Sequence, residues 1–243
     1  MRKILVLAAL VPGMALAAIS STKHNLSSGG AAGNITFNTT ELCGFCHVPH
    51  NASTTLALWA RGAPTGNAYT VTTQTTAGTP LPTTIGALGT GSQRCLSCHD
   101  GTVGLNISLG LSPTPTLLAD PNTRTAAGGG TGGRVLSAGP AYFASLENQH
   151  PVGIPYPGAT GSNAATAEYG TVTTTGCNAG IALCVTGGAN TNGLAIKLDG
   201  TASTNASIQC SSCHEPHKST VALFLRIDPA SAPNAVCGAC HIK

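Results

Sequence analysis

Apolar residues are scattered over most of this chain, and few stretches repeat them at a regular interval. Gly, Thr, Ala, Ser and Asn fill the positions between them, so regular secondary structure is expected to be sparse. Apolar and polar residues alternate at Tyr169–Thr173 and at Leu194–Leu198, and the second run is followed by Asp199-Gly200. Alternation beside turn residues is typical of β-hairpins. The pattern predicts a small β-like lobe over about 155–207.

The longest apolar run stands at the N-terminus. It follows Met1-Arg2-Lys3 and ends on Ala15-Leu16-Ala17-Ala18. A basic start, a short apolar centre and small residues at the end are typical of a secretory signal peptide. The run is shorter than the ~20 apolar residues that span a bilayer. We predict that residues 1–18 are removed and that the protein is exported. A retained membrane anchor is the alternative.

Four pentapeptides with the pattern Cys-x-x-Cys-His dominate the chemistry of the chain. They are motif 1 (Cys43–His47), motif 2 (Cys95–His99), motif 3 (Cys210–His214) and motif 4 (Cys237–His241). This spacing is the attachment signature of c-type haem, in which both thiols bond to the porphyrin edge and the next His ligates the iron. A zinc site would need two cysteine pairs per metal, and a thioredoxin-like pair would normally occur once, beside a βαβ pattern.

The motifs therefore predict four covalently attached haems on one chain. The predicted attachment residues are Cys43, Cys46, Cys95, Cys98, Cys210, Cys213, Cys237 and Cys240. The predicted proximal iron ligands are His47, His99, His214 and His241.

Four further histidines match the four predicted irons one for one. They are His24, His50, His150 and His217. Both methionines lie in the predicted signal peptide, so we predict bis-His ligation, low potentials and no open iron position for a small substrate. His50 and His217 each follow a proximal His by three residues and are expected to ligate a neighbouring haem. For each of the four, a surface or packing role is the alternative.

Two cysteines, Cys177 and Cys184, lie outside the motifs. An even remainder in an exported protein predicts a disulfide that closes a small loop. Two free buried thiols are the alternative.

The composition leaves little material for an ordinary core. The 243 residues include only four Phe, four Tyr and one Trp, and 8% are charged. We predict a multihaem cytochrome c fold whose core is formed largely by haems, with low regular structure, short helices at the haem motifs and a small β-hairpin lobe. It would be a single domain over 19–243, with haems 1 and 2 in 19–150 and haems 3 and 4 in 208–243.

The net charge does not indicate a nucleic-acid partner. Signal cleavage takes Lys and Arg from 11 to 9 against 8 acidic residues, and each haem adds two propionates. The mature protein is therefore expected to be acidic, and the chain has no basic cluster of the kind that binds nucleic acid.

Several segments resemble multihaem cytochromes of the doubled Cys-x-x-Cys-His type. Residues 43–50 and 210–217 both read Cys-x-x-Cys-His-x-Pro-His, as part of an internal similarity between 43–53 and 210–219, and Gln149–Gly153 reads Gln-His-Pro-Val-Gly. The resemblance implies that the His before Pro-Val, His150, is a distal ligand.

With its four motifs and eight histidines, the chain looks like the OmcE-type tetrahaem cytochromes, which polymerise into extracellular filaments. That resemblance implies extracellular electron transfer by hopping between haems, self-association into a homopolymer, and exchange with other redox cytochromes and an extracellular acceptor. It also implies that His24 ligates a haem of the neighbouring subunit.

Three other functions remain open. A monomeric periplasmic tetrahaem shuttle would use the same ligands within one subunit. A multihaem reductase of a small substrate such as nitrite would need one open iron, whereas the histidines suffice to close all four. A membrane-anchored cytochrome that oxidises quinol would need residues 1–18 to be retained.

Overall fold

The computed structural model describes part of the chain. The described residues are 19–31, 35–37, 39–48, 58–60, 88–101, 105, 123–125, 134–136, 142–143, 145–146, 149–156, 169–177, 181–186, 196–231 and 234–241. The predicted signal peptide and His50 lie outside them. Within these ranges, every helix is too short or too polar to cross a membrane.

The helices of the described part are few and short. Those that lie wholly within it are α1 (Thr90–His99), α2 (Cys210–Cys213) and α3 (Ala235–Gly238), with 3-10 turns at Ser203–Asn205 and Ala222–Phe224. Helices α1 and α2 contain both cysteines of motifs 2 and 3, and α3 contains Cys237 of motif 4, so short helices occur at these motifs as predicted.

Local sequence explains why two of the helices stop at their motif. After α1, Gly101 adopts the left-handed conformation (φ 72°), which ends a helix at no steric cost for glycine. After α2, His214 is already extended (φ −110°, ψ 139°). Glu215 comes next and precedes Pro216, and a following proline disfavours the α region.

The strands form three antiparallel pairs. They are β1 (Thr123–Thr125) with β2 (Arg134–Leu136), β3 (Ile154–Pro155) with β6 (Ser207–Ile208), and β4 (Thr171–Thr173) with β5 (Cys184–Thr186). Low regular structure with a few short helices and small antiparallel sheets is what the sequence predicted. The predicted strand around Leu194–Leu198 is reduced, in the described residues 196–199, to single bridges at Lys197 and Asp199.

Buried apolar side chains form two clusters. The lobe cluster joins the β lobe to α3, and it includes Tyr156, Leu183, Leu198 and Ala239, with Cys240 packed against it. The aromatic cluster is smaller and consists of Phe37, Phe45 and Leu105. The predicted contribution of haem to the core stays a prediction.

Motifs 1 and 3 are followed by loops that close in the same way. Two backbone hydrogen bonds close each loop. In the first, the amide of the residue after the proximal His donates to the carbonyl of a residue further along the chain. In the second, the amide two residues after that carbonyl donates to the carbonyl of the second motif cysteine. The bonds are Val48 N to Leu58 O (3.1 Å), Ala60 N to Cys46 O (2.8 Å), Glu215 N to Phe224 O (2.7 Å) and Arg226 N to Cys213 O (2.8 Å). Leu58 and Phe224 are both left-handed, with φ of 57° and 58°. The internal similarity is therefore a structural repeat.

Candidate functional site

Each motif forms a helical turn that gathers its three functional side chains. In motifs 1 and 4 the His amide donates to the carbonyl of the first cysteine, over 2.8 Å in both His47 to Cys43 and His241 to Cys237. Residues spaced i, i+3 and i+4 lie on one face of such a turn, which is why this spacing presents two thiols and an imidazole together. None of the eight motif cysteines forms a disulfide in the structure. The residues thus fit covalent haem attachment.

Motifs 1 and 2 meet at the aromatic cluster. Cys46 of motif 1 and Cys98 of motif 2 both pack against Phe37, Phe45 and Leu105. A second contact comes from the loop after motif 1, where Trp59 Nε1 donates to Ser97 Oγ over 2.9 Å. Apolar packing and one polar bond therefore hold the first two motifs side by side.

Motifs 2 and 3 are joined by a buried polar network that the sequence did not reveal. Ser92 is fully buried. Its hydroxyl donates to Gln209 Oε1 over 2.7 Å and accepts from the Cys210 amide over 3.0 Å. The amide of Gly89 also donates to Gln209 Oε1, over 3.0 Å. Helix α1 therefore meets α2 across more than a hundred residues of chain.

The first cysteines of these two motifs also interact through their thiols. Cys95 and Cys210 are hydrogen-bonded, which raises the pKa of Cys95 and lowers that of Cys210 to about 7. Gly91 lies at the same contact, where a β-carbon would collide with the Ser211 side chain. A larger residue at this position would have to displace the side chains of Ser211 and Asp199, so glycine favours the close contact of the two helices.

Motifs 3 and 4 share the lobe cluster. Cys213 and Cys240 both pack against it. Burial raises the pKa of both thiols, that of Cys240 to about 12, and the charge of Cys213 adds to the effect on Cys240. The Gly170 amide of the β lobe donates to the Cys240 carbonyl over 2.9 Å. The four motifs are therefore neighbours in the order in which they occur along the chain.

Two pairs of histidine rings lie at nearly equal separations. The ring centroids of His47 and His217 are 5.9 Å apart, and those of His24 and His99 are 6.0 Å apart. Two imidazoles that bind one metal from opposite sides, with metal–nitrogen bonds of about 2 Å, have centroids about 6 Å apart. Each pair joins a predicted proximal ligand to a predicted distal one.

His24 lies deeper than a typical surface histidine. Burial is the largest factor that lowers its pKa to about 4, followed by the charges of His99, His217 and His214. Its ring also stacks on Phe224 with centroids 4.5 Å apart. His24 is therefore neutral near pH 7, which is the form that ligates a metal.

Backbone carbonyls orient the proximal rings of the two repeated units. The Nδ1–H of His214 donates to the Leu223 carbonyl over 2.7 Å. His47 is hydrogen-bonded in the same way to the Leu58 backbone, although burial and the charges of His217 and Arg94 lower its pKa overall. A hydrogen bond at Nδ1 fixes the tautomer whose free lone pair is on Nε2.

The remaining predicted ligands are less closely grouped. His241 packs beside Tyr169, with ring centroids 5.0 Å apart. His150 is exposed, and its Nδ1 lies 3.1 Å from the carbonyl oxygen of Pro151. Among the described residues, no ring contact joins His150 to another histidine. His50 lies outside the described residues.

The predicted disulfide is present. The sulfur atoms of Cys177 and Cys184 are at bonding distance, with Cα atoms 5.7 Å apart. The bridge connects the turn after β4 to the first residue of β5, so it closes the hairpin of the lobe and involves none of the motif cysteines.

Comparisons with known proteins agree with the motif chemistry. A family model described as the doubled CXXCH motif matches residues 204–243, which contain motifs 3 and 4. A comparison with curated proteins gives no match. The C-terminal part of the chain is thus similar to a doubled haem-attachment unit. The similarity indicates covalent haem c binding and electron transfer by a multihaem c-type cytochrome.

Proposed function

We propose that this chain is an exported tetrahaem c-type cytochrome that carries electrons along a row of bis-His haems. The observation that carries the proposal is the contact of each motif with the next one along the chain. Bound haem supplies one-electron redox chemistry at its iron. The protein supplies attachment, axial ligands, spacing and the exclusion of water.

The contacts between motifs explain how the protein would keep the spacing fixed. The aromatic cluster and the lobe cluster exclude water beside the motif pairs 1–2 and 3–4. The hydrogen bonds of Ser92 and Gln209 hold motifs 2 and 3 together. Satisfied buried polar groups have few alternative arrangements, so they hold a fixed geometry.

The histidine geometry supports a specific ligand assignment. The near 6 Å separations favour one iron between His47 and His217 and another between His99 and His24. His50 and His150 then remain as distal ligands for His214 and His241. With six-coordinate irons throughout, electron transfer is favoured over catalysis at the haem.

The proposal extends to self-association into an extracellular filament, as the resemblance implies. The first cysteines of motifs 1 and 4, Cys43 and Cys237, are exposed, whereas Cys95 and Cys210 are partly buried. The two ends of the row are therefore accessible to a second copy or to another redox protein. A monomeric periplasmic shuttle with the same ligands is the competing function.

Two measurements test the proposal in sequence. Intact mass and the pyridine haemochrome spectrum of the exported protein should give four haems per chain, and a smaller number would contradict the tetrahaem assignment. Electron microscopy of the fraction sheared from producing cells then separates the two functions. Regular filaments with a continuous row of haems support the filament, whereas only small monomeric particles support the shuttle.

A His24→Ala variant distinguishes the two roles open to this residue. If His24 serves its own chain opposite His99, the variant gains one high-spin haem and still assembles. If it serves a neighbouring subunit, the variant keeps four haems but forms no filaments. Lys23→Ala is the matched control, because Lys23 is the exposed neighbour.

A further inference from the structure

One carboxylate lies between a predicted iron ligand and a buried cation. Glu215 Oε1 is 3.2 Å from His217 Nδ1 and also accepts from the His217 amide over 3.3 Å. Its other oxygen, Oε2, is 2.9 Å from a terminal nitrogen of Arg226. Both carboxylate oxygens are therefore engaged, one by the ligand and one by the cation.

Arg226 holds this carboxylate in place because it is itself anchored to motif 3. Its side chain is 10% exposed. Its Nε donates to the Ser211 carbonyl over 2.9 Å, and its backbone amide donates to the Cys213 carbonyl over 2.8 Å. A guanidinium anchored through its Nε, on a residue whose backbone amide is also bonded to motif 3, restricts where the carboxylate can lie.

The unit that contains motif 1 has no residue equivalent to the Glu215 carboxylate. The position equivalent to Glu215 in the first unit is Val48, since both residues follow the proximal His and donate the loop-closing hydrogen bond. Val48 is apolar and 4% exposed. The carboxylate is therefore specific to the second unit.

We propose that Glu215 is a positioning residue that lowers the reduction potential of the one haem that His217 ligates. The inference rests on the proposed function. The carboxylate accepts the Nδ1–H of His217, which leaves the lone pair on Nε2 and makes the imidazole a stronger donor. A stronger donor and a nearby negative charge favour ferric over ferrous iron. Arg226 offsets part of that charge while it fixes the geometry.

The test is a set of haem-resolved redox titrations of the intact holoprotein. Glu215→Gln keeps the shape and a hydrogen-bond acceptor but removes the charge. We expect one of the four reduction potentials to rise by ~59 mV, which corresponds to about a tenfold change in the ratio of oxidised to reduced haem at a fixed potential. Glu41→Gln is the matched control, because it removes an exposed carboxylate beside motif 1, which carries His47, without removing the hydrogen bond to His217, and it should shift that potential by much less.

A second variant gives the opposite sign and does not depend on the folding of the first. Arg226→Gln removes the cation and should lower the potential of the same haem. Equal shifts at all four haems, or no shift in either variant, would overturn the role of Glu215 while leaving the tetrahaem assignment intact. A wild-type protein without attached haem, seen by mass before any titration, would instead overturn the proposed function itself.

Discussion

The buried hydroxyl of Ser92 offers the most direct test of how motifs 2 and 3 are held together. The change is Ser92→Ala, which removes one oxygen from a site with 0% exposure. It leaves the Cys210 amide without its 3.0 Å acceptor and removes the 2.7 Å bond to Gln209 Oε1. Gln209 keeps the Gly89 amide as a donor, so the unpaired group is the Cys210 amide.

The expected loss follows from these two bonds. A buried donor left unpaired costs about 1–3 kcal/mol, and a lost hydrogen bond costs about 1 kcal/mol. The free energy of unfolding should therefore fall by about 2–4 kcal/mol. For a protein of this size each kcal/mol lowers Tm by about 2–4 °C, so Tm should fall by about 5–15 °C.

The assay is thermal unfolding of the haem-loaded protein, followed by far-ultraviolet circular dichroism. Ser231→Ala is the matched control, because it deletes an exposed hydroxyl that donates to the Asp228 carbonyl, and exposed changes shift stability by about 0.5 kcal/mol or less. If both serine variants melt within a degree of each other, the Ser92 network does not join the two motifs.

Three further perturbations test other parts of the structure. Replacing Cys177 and Cys184 by Ser opens a loop with a sequence separation of 7. The free energy of unfolding, measured with urea, should fall by about 2–3 kcal/mol. Loss of haem from the variant would contradict a purely structural role of the disulfide. Trp59→Phe removes the hydrogen bond to Ser97 and should lower the free energy of unfolding by about 1 kcal/mol in the same assay. An unchanged urea midpoint would show that this hydrogen bond does not stabilise the protein. The hydrogen bond from His217, followed by the charge of Arg226, lowers the pKa of Glu215 from 4.5 to about 2. Because its folded pKa is depressed, its stabilisation should be complete above pH 4.5 and disappear as the pH falls to about 2. The stability difference from Glu215→Gln should shrink over that window, and a constant difference would refute the assignment.

The sequence by itself determined the local chemistry of this protein. Cys-x-x-Cys-His places its reactive groups on one helical face wherever a turn forms, so the attachment residues could be predicted without knowledge of the fold. Counting isolated the pair Cys177 and Cys184, and alternation around Thr171–Thr173 marked a strand of the lobe. The repeat of 43–53 in 210–219 also predicted units of similar local design.

Tertiary structure alone decided how these local units meet. Ser92 and Gln209 are two ordinary polar residues in a chain rich in such residues, and nothing local distinguishes them before the fold buries both. The pairing of His47 with His217 likewise depends on how the intervening chain folds. Local patterns report bonds between neighbours in sequence, whereas the order of the motifs in space rests on contacts between distant residues, which no local pattern encodes.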